Sequence, residues 1–327
     1  MDEIVALSRE RIERGSKSFA LAARLFQPSM RDDAYQLYAW CRHCDDVIDG
    51  QELGHGAVRS LDDRGAMLAA LGQLEQATRA ALAGNADDPV FVALARVVAA
   101  HDIPHRHPFE LLEGFRMDAE GRHYQTIEDT LSYCYHVAGV VGVMMARIMG
   151  ARDLATLRRA QDLGLAFQLT NIARDVVADA EAGRVYLPQQ WLDEAGLKRS
   201  DILDPGRRTQ LAAVVHRLLH VAEPYYKSSG RGLAELPWRA AWAVAAAGTV
   251  YREIGEVVKN RGPAAWDRRA VVRRRRKIGA VVTGLAMALA SRLPAASRAD
   301  SPRDPTLWTK PELTENAPDA RQRAASG

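Results

Sequence analysis

Two pairs of aspartates carry the chemistry for which this chain is equipped. In Cys44-Asp45-Asp46-Val47-Ile48-Asp49 and in Asn171-Ile172-Ala173-Arg174-Asp175-Val176-Val177-Ala178-Asp179, two aspartates stand four residues apart. On a helix both carboxylates of a pair point the same way, one turn above the other. Like charges at that spacing cost about a few tenths of a kcal/mol when nothing neutralises them. A cation removes the cost. Hard oxygen ligands, one or two carboxylates per ion with the remaining positions left for substrate phosphate, suit Mg²⁺, with Mn²⁺ as the alternative. The pattern predicts a site that grips a diphosphate through metal ions.

A single pair of this kind is ordinary on a solvated helix face. The flanks argue against that reading here. Leu37, Tyr38, Ala39, Trp40 and Cys41 precede the first pair, and the run Leu163 to Thr170, with Gly164, Phe167 and Gln168 in it, precedes the second. Such flanks belong to buried helices, and buried carboxylates need partners. Cations stand ready: Arg42 one turn before Asp45, and Arg174 beside Asp175. Gln168 leads into the stripe formed by Asn171, Asp175 and Asp179.

The elements that must position these groups read as helices. At 327 residues and 47% hydrophobic content the chain can bury a large core. Its long Ala/Leu/Arg/Glu stretches favour helix, and no Val/Ile/Thr alternation persists long enough for a sheet. Pro28, Gly50, Gly84, the Pro104–Pro108 segment, Gly150, Gly183, Pro188, Pro205, Pro237 and Gly262 mark breaks between helices. An all-α unit over residues 1–293 is expected. From Pro294 to residue 327 the composition turns to Ala, Ser, Arg, Asp, Pro and Glu, with Trp308 the one large apolar anchor, and disorder is expected.

Net charge is only +3, yet Arg268-Arg269 and Arg273-Arg274-Arg275-Arg276-Lys277 form a basic concentration. No readout motif accompanies it, so nucleic-acid binding is not expected; an anionic substrate or an anionic membrane surface accounts for it as well as a solvated face does. Cys41, Cys44 and Cys134 offer one C-x-x-C pair and no second pair to complete a zinc site, so buried thiols in a reducing cytoplasm are expected. The charged N-terminus does not read as a signal peptide. The apolar stretch Ile278 to Ala290 is too short to span a bilayer. A cytoplasmic protein is expected, with any membrane contact peripheral and on the inner face.

Five ordered stretches resemble the squalene and phytoene synthase family of head-to-head prenyl transferases: Ser16-Lys17-Ser18-Phe19; Tyr38 to Asp49; Tyr133-Cys134-Tyr135-His136-Val137-Ala138-Gly139-Val140-Val141-Gly142; Gln168 to Asp179; and Gly183-Arg184-Val185-Tyr186-Leu187-Pro188. The likeness runs from about Ser16 to Arg292. Bacterial members that form phytoene look most similar, through His107 to Gly114 and Cys41-Arg42-His43-Cys44. The resemblance implies an all-α isoprenoid-synthase fold around a central cavity. It implies condensation of two geranylgeranyl diphosphates through prephytoene diphosphate to phytoene, without NADPH. It further implies that Asp45, Asp49, Asp175 and Asp179 hold Mg²⁺, and that Ser18, Tyr38, Arg42, Asn171, Arg174, Tyr251 and Arg269 contact diphosphate. Phe19 and Gln168 complete the expected substrate-binding set. One departure stands out: many relatives carry an acid just before the last aspartate of the second motif, where this chain has Ala178.

Ionising an allylic diphosphate needs stabilisation of the leaving group and no protein nucleophile. The carbocation left behind needs a dry cavity. Aromatic faces stabilise passing positive charge, and Phe19, Tyr35, Tyr38, Phe115, Tyr133 and Phe167 are candidates. Gly139 and Gly142 serve either close helix packing or room for a prenyl tail; Ala22 and Ala23 likewise leave space. Arg184, Tyr186 and Pro188 read as a loop closing the second acidic helix. Four rivals remain: a C15 squalene or dehydrosqualene synthase, a class I terpene cyclase, a non-catalytic scaffold, and a nucleic-acid module. No G-x-G-x-x-G fingerprint accompanies the NADPH that squalene formation would use. The motifs are D-x-x-x-D in both clusters, unlike those of cyclases, and all four aspartates stand, unlike in scaffolds.

Overall fold

The computed structural model describes residues 2–53, 56, 59, 61–293 and 302–310, without the side chains of Lys17, Ser18 and Leu61. Among these residues there are helices and no β-strand. The first seven are α1 (Glu3–Gly15), α2 (Lys17–Ala23), α3 (Pro28–Asp49), α4 (Arg64–Leu82), α5 (Pro89–Ala100), α6 (Arg106–Ala119) and α7 (Ile127–Cys134). A π-helical segment, Tyr135–Gly139, joins α7 to α8 (Val140–Ile148). Then come α9 (Leu154–Glu181), α10 (Gln189–Glu194), α11 (Arg208–Arg231), α12 (Trp238–Arg261) and α13 (Arg274–Ala290). The all-α expectation holds.

Helix α9 is the axis of the molecule, packed by α8, α11 and α12. Leu165, Leu169, Ile172, Ala173 and Val176 bury one side of it in the main core. In α3 the core stripe is Leu37, Trp40, Cys44 and Ile48, spaced by three and four residues as one helix face requires. The stripe beside it (Tyr38, Cys41, Arg42, Asp45, Asp49) faces an internal cavity. One face of α3 therefore anchors while its neighbour presents chemistry.

Both acidic helices end in a built stop just past their last aspartate. Gly50 takes φ +69°, and Arg59 folds over it to donate to the Val47 carbonyl at 2.9 Å. Gly183, at φ +81°, turns the chain after α9, and the Arg184 amide donates back to the Asp179 carbonyl at 2.8 Å. That turn sends the Arg184 side chain across to the other acidic helix.

The two readings of the glycine pair resolve toward packing. A Cβ on Gly142 would collide with the Ala160 carbonyl oxygen of α9, one on Gly139 with the Leu165 side chain, and one on Gly164 with the Ala138 carbonyl. The run Ile127–Ile148 is long and apolar enough to cross a membrane by composition, but here it packs against α6 and α9. All three cysteines are free, with Cys44 and Cys134 buried.

Residues 302–310 depart from the expected disorder. Arg303 donates to both carboxylate oxygens of the fully buried Asp162, at 2.8 and 2.7 Å. The Trp308 amide donates to the Tyr225 hydroxyl at 3.1 Å, and Lys310 pairs with Glu110 at 2.7 Å. A buried carboxylate creates a demand for a cation that composition alone does not reveal. Residues 294–301 and 311–327 lie outside the described residues.

Candidate active site

One cavity of about 970 Å³ collects nearly every residue singled out from the sequence. Asp45 and Asp49 come from α3, and Asp175 and Asp179 from α9; Arg42, Tyr38, Gln168, Asn171, Arg174, Phe19, Tyr251 and Arg269 line the same space. The side chain of Ser18 lies outside the described residues. The other end is apolar, walled by residues such as Ala23, Phe26, Ala34, Met149, Leu233 and Leu236. A charged head and a long apolar body thus have separate compartments.

Each acidic pair is matched by guanidinium groups. Arg42 donates to Asp45 at 2.5 Å and reaches the Tyr38 hydroxyl at 3.4 Å. Arg184 donates to Asp49 at 2.7 Å, tying the turn after α9 to the end of α3. Asp175 takes a fork from Arg174, and Arg269 approaches it at 3.2 Å from the loop before α13. Trp266 holds that loop down by donating to the Ala173 carbonyl at 3.1 Å.

The carboxylates are held under electrostatic stress. Burial, with Asp49 and Asp46 adding to it, pushes Asp45 up to about 7 against the pull of Arg42. Burial and the charges of Asp175 and Asp118 push Asp179 well above the carboxylate range, with Arg184 and Arg174 opposing. Burial also pushes Asp175 upward, but the hydrogen bonds and charges of Arg174 and Arg269 outweigh it and hold it low. Groups raised by burial and like charge gain most from a cation.

Asp118 on α6 was not foreseen. It is buried, pushed up to about 6 by burial, and accepts from the hydroxyls of Tyr133 at 3.0 Å and Tyr186 at 2.8 Å. Those two rings stack at 4.5 Å between centroids. The available signal was its register: Leu111, Phe115 and Asp118 follow one another at four and three residues, placing Asp118 on the buried face. Arg184, read only as part of a closing loop, is a bridge between the acidic clusters. Asp46, central in its motif, faces away from the cavity and accepts from the Leu53 amide at 2.8 Å.

The aromatic residues lining the polar end and middle of the cavity include Phe19, Tyr38, Phe115, Tyr133, Phe167, Tyr186 and Tyr251. Phe167 stacks on Tyr251 at 4.1 Å, and Tyr251 on Phe19 at 5.6 Å. Tyr35 is a correction: it packs with Ile12, Phe26 and Leu157 in a second core and does not line the cavity.

Divalent cations fit this donor set. The Asn171 Oδ1 is buried without a hydrogen-bond partner, while its Nδ2 donates to Gln168 at 3.3 Å. An orphaned carbonyl oxygen one turn before Asp175 and two before Asp179 is a hard donor of the type such cations accept. Among the described residues no three His, Cys, Asp or Glu side chains converge into a complete cage.

Likeness to known proteins extends over most of the chain. A squalene/phytoene synthase family profile matches residues 12–276. The 15-cis-phytoene synthase of Enterobacter agglomerans is 50% identical over 304 residues, covering 92% of this chain and all of that protein. The 15-cis-phytoene synthase of Pantoea ananas is 50% identical over 91% of this chain and 94% of its own length. Among solved structures, a dehydrosqualene synthase in complex with ligand superposes with a TM-score of 0.78 at 30% identity, over 88% of this chain and 97% of that one. The squalene synthase of Alicyclobacillus acidocaldarius gives 0.69 at 25% identity, over 79% and 94%. With two acidic helices facing one cavity and this breadth of likeness, the chain, built on the isoprenoid-synthase fold, belongs to the squalene/phytoene synthase family.

Proposed function

We propose that the chain is a phytoene synthase, joining two geranylgeranyl diphosphates head to head through prephytoene diphosphate. The observation that carries the reading is the pairing of Asp45/Asp49 with Asp175/Asp179 across one polar end of an apolar cavity. Asp45, Asp49, Asp175 and Asp179, with the Asn171 carbonyl oxygen, would hold Mg²⁺ or Mn²⁺. When bound, such ions neutralise the charge that develops on a departing diphosphate.

The chain's own groups do the rest. Arg42, Arg174, Arg184 and Arg269 sit beside these carboxylates and present donors to diphosphate oxygens. One such contact is worth about 4 kcal/mol near 4 Å at an effective dielectric of 20. Several together lower the ionisation barrier substantially. The Phe19, Phe167 and Tyr251 rings offer π faces to the allylic cation and exclude water from it. Each of the two stages releases one diphosphate and one proton, the first proton as the cyclopropane closes and the second as the final cation becomes the hydrocarbon. No hydride is needed, so NADPH is not required.

A C15 synthase is the second reading, favoured by the dehydrosqualene synthase and the squalene synthase among the structural neighbours; those likenesses stand at 30% and 25% identity against 50% for the phytoene synthases. Supplying geranylgeranyl and farnesyl diphosphates together separates them. A C40 hydrocarbon as main product supports the reading, and a C30 hydrocarbon overturns it. The substrate's amphiphilic character supports a working place at the inner face of the cytoplasmic membrane, in peripheral contact with lipid and without nucleic acid.

A further inference from the structure

Helix α13 carries its apolar side chains on the outside. Its inward positions, Ala280, Gly284 and Ala288, are small and buried. A Cβ on Gly284 would collide with the Ala246 backbone of α12, so the two helices lie in close contact. Large residues point away: Ile278, Val282 and Leu289 are 58%, 63% and 56% exposed, and Leu293 just past the helix is 59% exposed. At 100° per residue the three helical positions fall within one outward stripe about 40° wide. Val271, just ahead of the helix, is 64% exposed.

The basic run opens the same helix. Arg273, Arg274, Arg275 and Arg276 are exposed; Arg276 pairs with Glu253 of α12 at 2.9 Å. No acidic residue lies between Val271 and Leu293. A helix with cations at one end, large apolar groups outward and no carboxylate matches a leaflet with anionic headgroups. A second copy of this helix would bring no carboxylate to meet the arginines.

Beside this face α2, α12 and α13 meet, and Phe19, Ala22, Ala247 and Tyr251 at that junction also line the reaction cavity.

We propose that the outward face from Val271 to Leu293 docks on an anionic bilayer. The docking face stands on its own observations; its use in taking up an isoprenoid substrate rests on the phytoene synthase reading.

The test is flotation of the full chain with phosphatidylcholine vesicles, with and without phosphatidylglycerol. Wild type is compared with Val282→Glu/Leu289→Glu and with Arg273→Gln/Arg275→Gln. Thermal melting and turnover of detergent-dispersed geranylgeranyl diphosphate serve as controls, since none of these residues lines the cavity. Wild type should float with anionic vesicles. The glutamate pair should abolish flotation, and each arginine neutralised should weaken it about fivefold. Turnover of vesicle-borne substrate should fall in both variants while detergent turnover holds. Wild type failing to float, or either variant floating like wild type, overturns the proposal. So does a glutamate pair that only splits a dimer, seen by light scattering, with flotation unchanged. Absence of a C40 product in detergent would instead count against the functional reading, and flotation would still decide the docking face.

Discussion

At the scale of single residues, the acidic clusters hold charge at a cost that the fold does not recover by itself. Asp45 and Asp179 are pushed upward by burial and by neighbouring carboxylates. Asp179→Asn should therefore leave the melting temperature unchanged or raised while turnover falls by orders of magnitude. Circular dichroism beside a product assay checks this; full turnover in the variant would remove Asp179 from the site. A pH dependence follows from Asp45, whose carboxyl rises from 3.8 to about 7. The folded chain keeps an extra proton across that window, so this group favours folding at the acid end and that stability is lost as pH rises through about 7. A cation must displace the same proton, so the Mg²⁺ needed for half-maximal activity should rise steeply from pH 8 to pH 6. A flat requirement would contradict it. The aspartates were legible because their spacing is a helix period. Asp118 and Arg184 were not: each is placed in the site by a partner distant in sequence, Tyr186 and Asp49 respectively.

At the scale of elements, two contacts decide whether the cavity keeps its shape. Helix α8 lies against α9 through Gly142, where a side chain would meet the Ala160 carbonyl oxygen. Backbone cannot yield as a flexible side chain does, so Gly142→Val should cost about 1–3 kcal/mol in urea unfolding. An unchanged midpoint would show that the helices can part. The second contact is the strap of residues 302–310. Asp162 is fully buried and held by Arg303 and by the Ser228 hydroxyl at 2.6 Å. Arg303→Ala leaves that charge without its cation and should cost about 3–5 kcal/mol. Pairing it with Asp162→Asn should restore part of the loss, and a double variant no better than the single one would refute the account. Helices and their ends were readable from Pro, Gly and apolar period. The strap was not, because its composition is that of a tail and its anchor is a charge hidden in α9.

At the scale of the molecule, the fold separates two solvents. Arginines and aspartates of α3, α9 and the loop before α13 make one end of the cavity polar, and small or apolar residues of α2, α8 and α12 make the other apolar. Composition foretold helices; which helices surround the cavity followed only from the family likeness, since every pairing of α3, α6 and α9 is distant along the chain. The most direct measurement supplies the purified chain with Mg²⁺ and geranylgeranyl diphosphate, without NADPH, and counts both the extracted hydrocarbon and the diphosphate released. The account predicts a C40 hydrocarbon with two diphosphates per molecule, lost on chelation and in a folded Asp175→Asn variant. Diphosphate release without a C40 product, or a C40 product that survives Asp175→Asn, would contradict it.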